Sequence, residues 1–172
     1  MKKVLLILLS ALLMLSIFVS CDTASSEPDE EKTTQALATA IKSFTYKGVD
    51  IKINTDSKDV VAKLGEPKST EVFDAGCGDS TPGYIYSYSG FEITTNPKDG
   101  VDLVDKIKIT SDLVSTPEGA SVGMSKSEII KLLGEPSAKS DEILRYVSGG
   151  TMLQFDLNSE GKVVTITYKP EK

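Results

Sequence analysis

Three patterns of apolar and polar positions follow one another along the chain. Residues 1–20 begin with Lys2 and Lys3, continue through a run rich in Leu, Ile and Val, and end on small or apolar residues at Val19 and Ser20. Residues 22–35, from Asp22 to Gln35, are polar and acidic and carry no large apolar side chain. Such a stretch cannot bury enough apolar surface to offset its conformational entropy, so it is expected to be a flexible tether. Beyond it, short apolar periodicities alternate with Gly, Asn and Pro, the mark of compact secondary structure.

Two windows carry the helical period and close in the same way. Residues 56–63 end in Leu64-Gly65-Glu66-Pro67, and residues 125–132 end in Leu133-Gly134-Glu135-Pro136. Val60, Val61 and Leu64 share one helical face, as do Ile129, Ile130 and Leu133. Ser125 and Glu128 stand at capping-box spacing, with Asp56 and Asp59 in similar parts in the first window. Gly65 and Gly134 fall where a left-handed C-cap is expected, and the prolines two residues on block continuation. Extended pieces precede the helices at 49–53 and 120–123, and residues 36–44 allow one more helix.

After each helix the period changes to two. Residues 84–88, 91–95 and 106–110 alternate in the first half, and 143–147, 152–157 and 163–168 in the second. They are separated by Gly- and Asn-containing turns, the signature of hairpins. Each half is therefore expected to be a helix followed by a three-stranded antiparallel meander, repeat one spanning about 45–112 and repeat two about 113–170. A unit of about 60 residues buries only a modest core. The two are expected to share one core, as a pseudo-symmetric α+β domain over residues 36–172 with its helices on one face of the sheet.

Charge and cysteine content narrow the function classes. The chain has 172 residues, 19 basic and 25 acidic side chains, no His, and two cysteines. Loss of Lys2 and Lys3 with residues 1–20 leaves 17 basic against 25 acidic groups, a net charge of −8. That balance argues against nucleic acid, whose phosphates demand basic surface. Without His, the common Ser-His-Asp and Cys-His arrangements are excluded, a zinc site is disfavoured, and no Gly-rich phosphate loop opens a helix. No cofactor is implied, and the chain is not expected to be an enzyme.

The basic, apolar, small order of residues 1–20 is the layout of a secretory signal. With Val19-Ser20-Cys21 it resembles the lipobox of bacterial lipoproteins, which implies cleavage before Cys21 and diacylglycerol on its thiol. Plain secretion would leave Cys21 free, and a retained helix needs about 20 apolar residues, more than 4–19 supplies. Two acyl chains give stable attachment. The expected location is the outer face of the cytoplasmic membrane.

The helix-plus-meander tandem is similar to the fold of the secreted β-lactamase inhibitor protein. Residues 123–136, Gly-Met-Ser-Lys-Ser-Glu-Ile-Ile-Lys-Leu-Leu-Gly-Glu-Pro, resemble the helix of small outer-membrane assembly lipoproteins of the SmpA/OmlA group. The runs from Cys77 to Ile93 and from Thr116 to Ser125 resemble uncharacterised lipoproteins of Firmicutes. These resemblances imply the fold; no binding residue is carried over from them.

The halves differ chiefly by an insertion at residues 71–83, a Gly-rich stretch of the kind that carries binding when a rigid scaffold holds it. Phe73, Asp74, Cys77 and Asp79 lie in it, beside Tyr84, Tyr86 and Tyr88, and tyrosine suits interfaces. The alternatives are an ordinary connector and a tyrosine strand with one face in the core. Cys77 is either a small apolar residue or a reactive or intermolecular thiol. The acidic stretches 99–105 and 156–161 suggest calcium by their oxygens, but they lack EF-hand spacing and read as hairpin turns, so no metal site is assigned. The expected function is a lipid-anchored, non-catalytic binding module for a protein or cell-envelope component. The alternative is a structural or envelope-assembly lipoprotein without a discrete ligand site. Cys21→Ser is expected to abolish acylation, read as loss of labelled fatty acid on the protein and a shift from membrane to soluble fractions.

Overall fold

The computed structural model describes residues 41–74 and 82–171. Cys21, the acidic tether, Cys77 and Asp79 lie outside them. The described chain opens on Ile41 and Lys42, which are helical, and a small hairpin of β1 (Phe44–Tyr46) and β2 (Val49–Ile51). Helix α1 (Ser57–Leu64) follows, then β3 (Ser69–Phe73), β4 (Gly83–Ser87), β5 (Phe91–Lys98) and β6 (Val101–Ile109). The second half is α2 (Lys126–Leu133), β7 (Ala138–Lys139), β8 (Ile143–Ser148), β9 (Thr151–Leu157) and β10 (Val163–Pro170). Among the described residues β3 to β10 form one antiparallel sheet in the order β3-β4-β5-β6-β10-β9-β8-β7. The fold is α+β.

Three expectations about the strands need correction. Each half contributes four strands to this sheet rather than three, because β3 and β7 add an edge strand at each end. Residues 71–73, expected in the inserted loop, are strand: Val72 pairs with Tyr84, and Phe73 with Gly83. Ser69-Thr70-Glu71-Val72-Phe73 carries no apolar–polar alternation, so the strand had no period-two signal. The extended piece before α1 pairs with residues 44–46, so Phe44 is strand rather than helix, whereas 120–123 makes an isolated bridge between Ser115 and Ser121.

The helix ends follow from side-chain chemistry. In α2, Ser125 Oγ accepts from Glu128 N at 3.4 Å, and Glu128 Oε2 accepts from Ser125 N at 2.7 Å, a complete capping box. The hydrogen bonds from the Ser125 hydroxyl and amide hold the Glu128 carboxyl below its ordinary range. In α1, Asp56 Oδ1 accepts from Lys58 N at 2.9 Å, and no return bond from Asp59 completes a box. Gly65 has φ 80, ψ −172 and Gly134 has φ 82, ψ −169. These are not the left-handed helical cap expected from the sequence. They lie in the extended positive-φ region that essentially only Gly adopts, and their amides donate to Val61 O at 3.0 Å and Ile130 O at 2.8 Å.

The segment before each helix is laced to the last strand of its own half. Asn54 N donates to Val104 O and Val104 N to Thr55 O, both at 2.8 Å, while Gly123 N donates to Val163 O and Val163 N to Met124 O, also at 2.8 Å. Ser57 Oγ adds a 2.6 Å bond to Asp102 Oδ2. The helix exits are tied to tyrosines: Tyr88 Oη donates to Gly65 O at 3.3 Å and Tyr146 Oη to Gly134 O at 3.0 Å. Helices and hairpin thus cover one face of the sheet. Alternate residues of the central strands enter that core, including Phe91, Ile93, Val104, Ile107, Ile109, Leu153, Phe155, Ile166 and Tyr168. Ile41, Phe44, Ile51, Ile129 and Leu133 meet them from above. The Phe44 ring packs edge-on against Phe91 at 5.0 Å.

Nothing lies within 4 Å of a Cβ built on Gly65, so its requirement is one of backbone alone. Gly65→Ala is expected to cost about 1–3 kcal/mol, measured as a lower urea midpoint with unchanged m-value.

Candidate functional site

The strand period that fills the core also sets the opposite face. With Phe91, Ile93 and Thr95 turned inward, Glu92, Thr94 and Asn96 stand on the other side of β5. The registers place one row of such residues across five strands: Glu92 opposite Lys108, Lys108 opposite Thr167, Thr167 opposite Gln154, and Gln154 opposite Arg145. Lys106 lies two residues from Lys108, and Lys169 two from Thr167, so both share this face. The side chains are half-buried, with Thr167 at 8% exposure, and the described helices and hairpin pack on the other side of the sheet.

Hydrogen bonds fix part of this row. Arg145 Nε donates to Gln154 Oε1 at 3.1 Å, and Lys169 Nζ donates to the same oxygen at 3.2 Å. Gln154 Nε2 donates to Asp156 Oδ1 at 2.6 Å. Among the described residues the ion pairs are Lys126–Asp141 and Lys139–Glu135. The Arg145 and Lys169 cations are therefore held on a neutral amide oxygen, with no carboxylate at ion-pair distance among the described residues. Val147 stands opposite Met152 beside them, on the same face.

The residues expected from sequence are distributed differently. Tyr86 stands opposite Ile93 and so faces the core side, where Tyr86 and Tyr88 pack against the core. The Tyr84 and Tyr86 rings stack at 5.7 Å, and Tyr88 stacks on Phe91 at 5.1 Å. Burial raises the Tyr86 and Tyr88 phenols, with smaller contributions from Asp102 and Tyr84 on Tyr86 and from Tyr86 on Tyr88. Phe73 lies over Gly83, where an added Cβ would come within 2.6 Å of the ring. Asp74 follows β3 and is exposed. The three tyrosines and Phe73 thus gather at the β3–β4 end of the sheet. Sequence reasoning missed Lys106, Lys108, Arg145, Gln154 and Lys169. Their period-two polar positions were legible, but their convergence depends on the register.

No protein-family model matches the chain, and no curated protein matches it. Among solved structures it is similar to a DUF4309 family protein, YjgB, from Bacillus subtilis, at 18% identity and TM-score 0.47, covering 82% of this chain and 97% of that one. It is also similar to an extracellular protein containing an SCP domain from Bacillus anthracis, at 14% identity and TM-score 0.42. A third similarity is to a cysteine-rich secretory protein from Staphylococcus aureus, at 16% identity and TM-score 0.46. Each of these two matches covers 69% of this chain and 44% of the other. All three organisms are Firmicutes.

Further titratable groups shifted by burial lie on the core side. The Tyr168 hydroxyl is buried, has no hydrogen-bond partner among the described residues, and is pushed well up by burial and then by the nearby Glu118 charge. Burial raises the Glu118 carboxyl, while bonds from its own backbone and from Thr116 partly offset the shift. Its Oε2 is likewise without a partner. Over the window between the unfolded and the raised folded value, the folded state holds the proton that the unfolded chain has lost. Stability is therefore present below the unfolded value and falls as pH rises through the folded one. Glu118→Gln is expected to remove that fall, seen as a flatter urea midpoint from about pH 4 to 7 than in the wild type.

Proposed function

We propose that the chain is a lipid-anchored extracytoplasmic binding module without catalytic chemistry, held by Cys21 at the outer face of the cytoplasmic membrane. Its docking surface is the sheet face opposite the described helices and hairpin. One observation carries the reading: on the face opposite the core, strand register and bonds to Gln154 bring Lys106, Lys108, Arg145, Gln154 and Lys169 onto one cross-strand row and its neighbour, with Glu92 at the β5 end. A rigid sheet holds such groups at fixed spacing, which lowers the ordering cost of binding. The partner is a protein or a cell-envelope component, and nucleic acid is disfavoured by the overall acidic charge.

The two halves are further read as copies of one unit, related to the β-lactamase inhibitor and SmpA/OmlA folds. The repeated Leu-Gly-Glu-Pro, the near-identical glycine angles and the two tyrosine-to-glycine bonds support this. The segment around Phe73, Asp74, Cys77, Asp79, Tyr84, Tyr86 and Tyr88 is the second candidate surface.

In-cell crosslinking followed by mass spectrometry and pairwise reconstitution with the purified partner tests the assignment. Three chains are compared: wild type, a Lys106→Glu/Lys108→Glu variant, and one with residues 75–81 replaced by Gly and Ser. One partner held by the wild type and the loop variant but lost from the charge variant is the expected result. The reverse pattern moves the site to the loop, and no specific partner for the wild type sinks the binding reading.

A further inference from the structure

Arg145 and Lys169 are two like charges brought to hydrogen-bond distance of the same atom, Gln154 Oε1. Like charges at such range repel, and a neutral amide compensates only in part. A carboxylate would cancel one of the two charges and bridge both cations, because each of its oxygens accepts charge-assisted bonds and guanidinium matches its planar geometry. The surroundings narrow the source of that carboxylate. Val147 and Met152 form an apolar cross-strand pair on the same face. Ile143 stands opposite Asp156 at the far end of the patch. Arg and Met beside aliphatic side chains are enriched in protein interfaces, and among the described residues no aromatic ring stands in this row to stack a base. The chain as a whole is acidic, so a cationic patch fixed on this face is a local departure in charge.

The geometry points to a protein partner that presents a carboxylate to Arg145 and Lys169 and an adjacent apolar side chain to Val147 and Met152. This rests on the binding-module reading above and specifies the chemistry of its partner. The bound carboxylate takes up the two cations now shared by Gln154 Oε1. Gln154 remains tied to Asp156 through its amide nitrogen, which keeps the row in place. Asp156 stands two residues along β9 from Gln154, so an acidic segment is repelled at that end of the patch.

The test titrates three probes into isotope-labelled full chain in zwitterionic nanodiscs: a short synthetic strand alternating Glu and Leu, its Gln–Leu counterpart, and inorganic polyphosphate. With the Glu–Leu strand, amide shifts are expected at Arg145, Val147, Met152, Gln154 and Lys169, and binding should weaken with added salt. The Gln–Leu strand is expected to leave these resonances unmoved. Arg145→Gln/Lys169→Gln should weaken the Glu–Leu strand by about tenfold or more. Gln154→Glu, close to isosteric at a half-buried position, places a carboxylate between the two cations and should weaken it similarly while the amide spectrum stays folded. Equal binding of the Gln–Leu strand, or shifts confined to another surface, overturns the inference. Preferential binding of polyphosphate at the same residues replaces the protein carboxylate by a phosphate polymer and overturns it too. Partner capture in cells that survives Arg145→Gln/Lys169→Gln overturns the inference but leaves the binding module standing. No capture by the wild type removes both.

Discussion

The pairing of β6 with β10 is the constraint on which the rest of the molecule depends. Ile109 faces Ile166, Lys108 faces Thr167, and Ile107 faces Tyr168. These are the closing strands of the two halves, so one short ladder turns two four-stranded pieces into a single sheet. Ile107, Ile109, Ile166 and Tyr168 then lie side by side in one core. Neither half alone has the area to bury its own apolar face well. The seam also carries the connections to both helices, since the segments preceding α1 and α2 are bonded to β6 and β10.

The same seam creates the cationic face. In an antiparallel ladder a residue's neighbours alternate between the two sides, so aligning Ile107 and Ile109 with the core necessarily aligns Lys106 and Lys108 with the opposite side. A slip of one residue would bury the lysines and expose the isoleucines. The cost of burying unpaired ammonium groups makes that arrangement inaccessible. Core packing and surface chemistry are therefore set by one register, and the site inherits the rigidity of the core beneath it.

Polar atoms left without partners concentrate on the core side. Asp102 Oδ1, Glu118 Oε2 and the Tyr168 hydroxyl lack hydrogen bonds among the described residues, near strands that bear the seam. Such groups cost stability. By contrast, Thr95 at the heart of β5 exchanges two bonds with the Tyr84 backbone, at 2.9 and 3.3 Å, and its hydroxyl is fully accommodated.

The sequence by itself determined the elements whose signals are local. Both helices, the Ser125–Glu128 capping box, the glycine stops at Gly65 and Gly134 and the α+β class follow from spacing within a few residues, because caps and amphipathic faces are short-range effects. The turn at Asn158, whose Oδ1 accepts from Glu160 N at 3.0 Å and Lys162 N at 2.9 Å, was legible for the same reason. Only the tertiary structure decided the edge strands β3 and β7, the separate β1–β2 hairpin, the core-side placement of Tyr86 and Tyr88, and the meeting of Arg145 with Lys169 on Gln154. Each depends on which strand lies beside which and in what register, a non-local choice made by burying one continuous apolar face, and no window of the sequence contains it.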